Sequence, residues 1–387
     1  GILLYGDPGL GKSLMAKSFI TESGLPAYIV RRDKGSDDFI GKITDTFEKA
    51  KKNAPAIVLL DDMDKFANED DRHIDAEEYV AVQAGIDEVK GCNVFVFATV
   101  NEIRKLPRSL IRSGRFDRKI EVNSPTDRDA EEIIKYYLGQ KKVSDNVNMD
   151  DLVKMVSYGS CAELETILNE AAIGAAYARK EKIEMDDLVK SVLRMQYDAP
   201  DNFTKKSSDA LKEIALHEAG HLVVSEILTP GSVGLASLRT AGRDSTGGFI
   251  HRCMPVTRRA HHILISLAGK AAVELYYSGV CASGCQSDIR KAADNIRDAI
   301  SESGTGGFGM IDVANHRFPE SSESFNSRNE SVVHAELERY MFKAREILIK
   351  NRDFLEKAAQ MLSEKETLLY SDIRKLRESI KITEVVL

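Results

Sequence analysis

No run of about 18 apolar residues occurs in the 387-residue chain, so no stretch of it reads as a membrane-spanning helix, and no signal-peptide pattern stands at its start. Basic excess is missing too. The 54 Lys and Arg are outnumbered by 61 Asp and Glu, and a net charge of -7 leaves no electrostatic footprint for nucleic acid. Cysteine is scarce: Cys92, Cys161, Cys253, Cys281 and Cys285 are an odd number without a framework spacing, which suits a reducing compartment. Cys281 and Cys285 are spaced as a metal or redox pair, but no second pair completes a four-ligand site. What remains is an ordinary globular composition, 43% hydrophobic and 30% charged, in a chain too long for one typical domain.

Gly1-Ile2-Leu3-Leu4-Tyr5 reads as a buried strand that runs straight into Gly6-Asp7-Pro8-Gly9-Leu10-Gly11-Lys12-Ser13, a match to G-x-x-x-x-G-K-S/T. A strand at the very start implies that the sequence opens inside a domain, so a preceding segment is expected. From Leu14 to Ser23 the text is helical. In such a loop the glycines let backbone N–H groups curl around phosphates, the lysine neutralises the β and γ oxygens, and the hydroxyl ligates Mg²⁺. ATP with Mg²⁺ is therefore expected on Gly6 through Leu14.

Ala56 to Leu60 is an uninterrupted apolar run ending in Asp61-Asp62, the pattern of a central parallel strand delivering acids at its carboxyl end. Asp61 is expected to hold Mg²⁺ through water and Asp62 to polarise the attacking water. Val94 to Ala98 reads as a further strand leading to Asn101, whose amide could orient that water. Arg112-Ser113-Gly114-Arg115-Phe116-Asp117-Arg118 is either a solvated turn or a source of arginine for a neighbouring subunit's phosphoryl transfer, the second of which implies a ring. Residues 128 to 195 show no strand pattern but several amphipathic periods, with Leu164, Ile167, Leu168 and Ala171 sharing a face. The polar stretch from Ala199 to Ser208, broken by Pro200, makes a natural linker.

His217-Glu218-Ala219-Gly220-His221 describes different chemistry. On a helix, i and i+4 lie on one face, so His217 and His221 can hold one Zn²⁺ with Glu218 beside it as general base. Leu211 to Leu228 is rich in Leu, Ile, Val and Ala and free of proline, which suits a buried helix; Gly220 costs it roughly 1 kcal/mol of propensity. A third protein ligand is needed. Asp244, and Asp288 at a helix start after a small-residue turn, compete for that place, with His251, His261 and His262 as rivals. Val233 to Leu238 and Gly248 to Arg252 read as short strands, one of them an edge that could pair with an extended substrate. The stretch Ser301 to Gly309 reads as a flexible glycine-rich loop, and Pro319 to Glu330 as an exposed connection.

Taken together, the phosphate loop, the acid-terminated strand, Asn101 and Ser-Gly-Arg-Phe-Asp-Arg resemble an AAA+ ATPase module. With His-Glu-Ala-Gly-His about a hundred residues later, the chain resembles the FtsH family of ATP-dependent zinc metalloproteases. Lys350 to Leu355 and Glu364 to Leu368 are also similar to that family's terminal helices. The resemblance implies an α/β AAA+ domain with a parallel sheet (1–127), a helical lid (128–198), a linker (199–208) and a mostly α-helical zinc peptidase domain (209–387). It makes Asp288 the third zinc ligand, Arg115 and Arg118 arginine fingers acting in trans in a homo- or hetero-hexamer, and Phe39-Ile40-Gly41 a pore loop gripping unfolded polypeptide. It implies membrane anchoring through a region outside this sequence, with the present portion in the cytoplasm or an organelle interior. One departure stands out: the family's Asp-Glu is Asp61-Asp62 here, one methylene shorter. Two rival readings follow, a peptidase with a weak or uncoupled ATPase because of Asp62, and a remodelling ATPase without proteolysis, against which the intact Glu218 stands.

Overall fold

The pentad Ala56–Leu60 is apolar at every position because its strand is covered on both faces. In the computed structural model, which describes residues 1–32, 38–67, 76–112, 114–199, 208–239, 247–277, 285–303 and 323–385, the chain divides into two compact units. The first comprises residues 1–129 and 158–166, the second 130–157 and 167–387.

The first unit runs β1 (Ile2–Tyr5), α1 (Lys12–Ser23), β2 (Ala27–Val30), α2 (Phe39–Lys52), β3 (Ala56–Leu60), α3 (Ala76–Glu88), β4 (Val94–Val100) and β5 (Arg118–Glu121). Its five strands form one parallel sheet in the order β2-β3-β4-β1-β5. Alternate residues of β3 feed two cores: Val58 and Leu60 join Phe47, Phe66 and Phe116 on one face, while Ile57 and Leu59 meet Leu4, Ala16 and Phe97 on the other. The order of strands brings the carboxyl ends of β1, β4 and β3 side by side, where open parallel sheets take their ligands. Strands β2 and β5 are the sheet's edges: β2 is a short apolar tetrad, partly covered, whereas all four residues of β5 are exposed, so its sequence is free to be polar.

The remaining elements are α4 (Asp127–Leu138), α5 (Met149–Met155), α6 (Cys161–Tyr177), α7 (Met185–Tyr197), α8 (Ser208–Leu228), β6 (Val233–Ser237), β7 (Phe249–Arg252), α9 (Arg259–Tyr276), α10 (Cys285–Ser303), α11 (Glu323–Lys350), α12 (Arg352–Lys365), β8 (Thr367–Leu369) and α13 (Tyr370–Glu378). Leu164, Ile167, Leu168 and Ala171 are all buried, as the helical period of α6 requires. The second unit also holds a small antiparallel sheet in the order β7-β6-β8, which leaves β7 at its edge. Two expectations are corrected here. Residues 323–330 belong to the long helix α11 rather than to an open connection, because α11 continues an amphipathic period that packs Val333, Met341 and Ile347 into the core. Thr367 and Leu368, expected in a terminal helix, form β8, since Glu366 takes a left-handed conformation (φ 59°) that ends α12 and turns the chain to pair with β6.

The core of the second unit is centred on α8 against α9. Gly220 sits where a side chain would meet the Ala268 carbonyl oxygen at 2.5 Å and Ala272 Cβ at 2.7 Å. Its roughly 1 kcal/mol of lost helix propensity is thus offset by close approach of the two helices. Gly220→Ala should therefore lower, not raise, the thermal melting midpoint, by several degrees, because the clash is with backbone that cannot move without displacing α9. A midpoint equal to or above wild type in a calorimetric scan would contradict this packing.

Candidate metal centre and nucleotide site

His217 and His221 lie one turn apart on α8, and Asp288 lies in the first turn of α10. Their ligand atoms converge within 4.8 Å of one another. The two Nε2 atoms are 3.1 Å apart, and Asp288 Oδ2 stands 3.3 Å from His217 Nε2 and 3.4 Å from His221 Nε2. His221 Nδ1 faces the Ile265 carbonyl at 2.6 Å, a bond that needs the proton on Nδ1 and so leaves Nε2 with the lone pair a metal ion requires. His217 Nδ1 has Cys285 Sγ at 3.8 Å. Two imidazoles and a carboxylate aimed at one point are the donor set of a zinc site with an open position, so these residues fit that ion. Burial pushes the Asp288 carboxyl up, but the two imidazoles more than offset it and hold it well below the usual carboxylate range.

Glu218, 3% exposed, is turned from the same helix toward Gly248, whose N–H donates to Oε1 at 3.0 Å. Burial raises its carboxyl above the ordinary value, and His221, His217 and the Gly248 N–H oppose this only in part. A raised value suits a group that must accept a proton and give it back. Two glycines complete the setting. A side chain on Gly248 would overlap Ser237 O at 2.5 Å and Glu218 Cγ at 2.6 Å, and one on Gly269 of α9 would lie 2.5 Å from both His217 Cε1 and His221 Nε2. Gly269 was not legible in sequence, since nothing local distinguishes it from other helical glycines. Gly248, expected only as part of a strand, precedes β7 and holds the carboxylate of Glu218, so substituting it disturbs that residue as well as any backbone pairing.

The rival ligands lie elsewhere. His251 on β7 is hydrogen-bonded through Nδ1 to the Tyr197 hydroxyl at 2.6 Å, and burial lowers its pKa to about 4. His261 and His262 open α9 and do not join the cluster. Asp244 and Cys281 lie outside the described residues.

In the first unit, Gly6 (φ 147°), Gly9 (φ 80°) and Gly11 (φ 85°) take conformations that favour glycine, and a side chain on Gly6 would run into Val122 O. The loop they shape leads into Lys12, which opens α1 and donates through Nζ to the Gly6 and Asp7 carbonyls at 2.7 Å each. Burial pushes the Lys12 ammonium below its ordinary value. Ser13 Oγ donates to Asp61 Oδ1 at 2.7 Å, which brings together the two expected Mg²⁺ ligands, one from the first turn of α1 and one from the end of β3. A cavity of about 350 Å³ opens beside the loop, lined by Gly6, Asp7, Leu10, Glu121, Val122 and Asn123. Asp62 is left-handed (φ 53°), with its carboxylate on Lys65 at 2.6 Å, and Asn101 follows the end of β4 in a bend, half-buried. Thr99, which no motif marks, donates to Asp61 at 2.8 Å and accepts the Asp62 N–H at 2.9 Å.

Two expected residues lie elsewhere than the sequence implied. Phe39, expected to present an aromatic to a pore, is 5% exposed in the first turn of α2, edge-on to Phe66 at 5.3 Å; only its neighbour Ile40, 37% exposed, faces outward. Arg115, expected to reach a neighbouring subunit, is 7% exposed and held by Asp87 at 2.6 Å and by the Ser109 carbonyl. In both, burial of the side chain within its own unit wins over presentation at the surface. Arg118, at the start of β5, is exposed.

Two outcomes follow from this geometry. Gly269→Ala should displace both imidazoles and abolish stoichiometric zinc, measured by elemental analysis of purified protein, while far-ultraviolet circular dichroism stays helical; full zinc content would refute the stated packing. Because the His251 value is depressed in the fold from 6.5 to about 4, its contribution to stability is complete above about pH 6.5 and is lost as pH falls toward about 4. Melting midpoints between pH 7 and 4.5 should fall more steeply for wild type than for His251→Gln, and parallel curves would show that His251 is not the group responsible.

Comparison with known proteins supplies an independent line. The model of the ATPase family associated with various cellular activities (AAA) matches residues 2–124, and that of peptidase family M41 matches residues 204–376. The ATP-dependent zinc metalloprotease FtsH of Caldicellulosiruptor bescii is 30% identical over 97% of this chain and 66% of its own length. The protein of the same name from Streptobacillus moniliformis is 29% identical over 100% of this chain and 60% of its own. FtsH 3 of Symbiobacterium thermophilum is 28% identical over 98% and 65%. The chain thus spans less than two thirds of the length of these relatives. With both family models matching in order and relatives aligned along nearly its whole extent, the chain belongs to the FtsH family of AAA+ zinc metalloproteases.

Proposed function

We propose that this chain is the motor and protease portion of an ATP-dependent zinc metalloendopeptidase that threads unfolded polypeptide to a hydrolytic centre. The convergence of His217, His221 and Asp288 beside a buried Glu218 carries the reading, because a remodelling platform has no use for a general base poised at a metal site. Zinc, when bound, acidifies a water and polarises the scissile carbonyl. Glu218, its carboxylate held by the Gly248 N–H, takes the proton and passes it to the leaving amine. Strand β7, at the edge of its sheet among the described residues and directly after Gly248, stands where an extended peptide adds to a sheet along its backbone, a mode that selects backbone rather than side chains.

At the other site, the loop from Gly6 to Ser13 and Leu14 takes the phosphates of ATP, Ser13 and Asp61 hold Mg²⁺, and Asp62 and Asn101 orient water at the γ-phosphate. We assign residues 1–127 to the nucleotide-binding domain, 128–198 to its lid, 199–208 to a linker and 209–387 to the peptidase. Ring assembly as a hexamer, with Arg118 the exposed candidate to serve a neighbour, and pore threading near Ile40 and Gly41 belong to the same proposal. Among the described residues no helix is long and apolar enough to cross a membrane, so the anchoring that the family resemblance implies would come from elsewhere.

The deciding experiment is digestion of casein by zinc-loaded protein with and without ATP, beside Glu218→Gln. Cleavage that needs both Glu218 and ATP is the expected result, with the variant reduced by at least about a hundredfold. Cleavage that needs Glu218 but ignores ATP would detach the motor from the protease, and equal inertness of wild type and variant while ATP is still hydrolysed would replace the reading with a remodelling one.

A further inference from the structure

Thr99 is the penultimate residue of β4, wholly buried, and no motif contains it. Its hydroxyl has both roles assigned. The Asp62 N–H can only donate, so the Thr99 oxygen accepts it at 2.9 Å and its single hydrogen goes to Asp61 Oδ1 at 2.8 Å. Asp61 Oδ1 receives a second hydrogen from Ser13 Oγ at 2.7 Å. One continuous run, from the Asp62 backbone through Thr99 and Asp61 to Ser13, therefore ties the carboxyl ends of β3 and β4 to the first turn of α1.

Two constraints result. With two donors on one oxygen, the Asp61 carboxylate is fixed in rotation, and its other oxygen stands 3.8 Å from the exposed Arg31. Asp62 sits at φ 53° and ψ 49°, a left-handed conformation that most residues with a side chain avoid, and the part-buried bond from its N–H to Thr99 helps to hold it there. Its carboxylate leaves the strand toward the exposed Lys65, a flexible partner that cannot define position on its own. An acid one methylene short of glutamate depends on its backbone for placement, and misplacement of a reacting group by about 1 Å costs on the order of a hundredfold.

We propose that Thr99 is a positioning residue for ATP hydrolysis, orienting Asp61 toward the cation and Asp62 toward the attacking water without touching nucleotide itself. This rests on the nucleotide reading given above. The test compares the full wild-type chain with Thr99→Val, which keeps the β-branched shape in β4 but removes the hydroxyl, and with Thr99→Ser, which keeps the hydroxyl. Steady-state ATPase kinetics with a Mg²⁺ titration and the affinity for a fluorescent ATP analogue are measured for each. The expected result for Thr99→Val is a kcat about 10- to 100-fold lower, a KM for ATP within about threefold of wild type, and a higher half-saturating Mg²⁺; Thr99→Ser should recover to within about threefold of wild type. A Thr99→Val kcat within about twofold of wild type would overturn the assignment, as would a Thr99→Ser as impaired as Thr99→Val, since the methyl packing and not the hydroxyl would then matter. If the wild-type chain neither binds nor hydrolyses ATP, the nucleotide reading itself fails and takes this role with it, whereas an active wild type beside an indifferent Thr99→Val sinks the Thr99 assignment alone.

Discussion

The metal centre depends on how closely α8 and α9 approach. Gly220 meets the Ala268 backbone at a distance that excludes a side chain, and Gly269 does the same beneath the two imidazoles. Because α9 lies that near, Ile265 can present its carbonyl to His221 Nδ1, and the tautomer that leaves Nε2 free for a metal follows from that contact. Helix α10 then needs to supply only one carboxylate. Glu218 is turned instead toward Gly248, and its burial there is what lifts its proton affinity above that of a surface glutamate.

The nucleotide site is built by a different logic. There the groups that meet phosphate are largely backbone, shaped by glycines with positive φ, and the side chains that matter stand at the ends of neighbouring parallel strands. Lys12 shows the economy of this arrangement, since its ammonium is satisfied by the Gly6 and Asp7 carbonyls of the loop that leads into it. Helix-borne ligands at i and i+4 need one well-packed neighbour; strand-end ligands need the register of a whole sheet, and buried Thr99 links two of those strands.

Phe39 and Arg115 illustrate where a motif stops being informative. A motif records which residue types a chemistry needs and how far apart they stand, but not which way an individual side chain turns once the chain has packed. Phe39 opens an amphipathic helix whose buried face includes Ile43, Thr46, Phe47 and Ala50, and the aromatic belongs to that face. Arg115 precedes Phe116, which is fully buried, and Asp87 on α3 is near enough to pair with the guanidinium.

Local chemistry alone determined a good deal about this protein. Strands β1, β3 and β4, the phosphate loop, the buried helix α8 and the residues His217, Glu218 and His221 were legible, because burial on both faces, backbone freedom at glycine and the helical period each leave a mark within a few residues, whereas Asp288 was one of several candidates until the family resemblance selected it. The edge strands β2 and β5, strand β8, the glycine beneath the imidazoles, the hydroxyl joining Asp61 to Asp62 and the burial of Phe39 and Arg115 were decided only in three dimensions. Each depends on a partner far away in sequence, and a contact between distant segments has no local pattern to announce it.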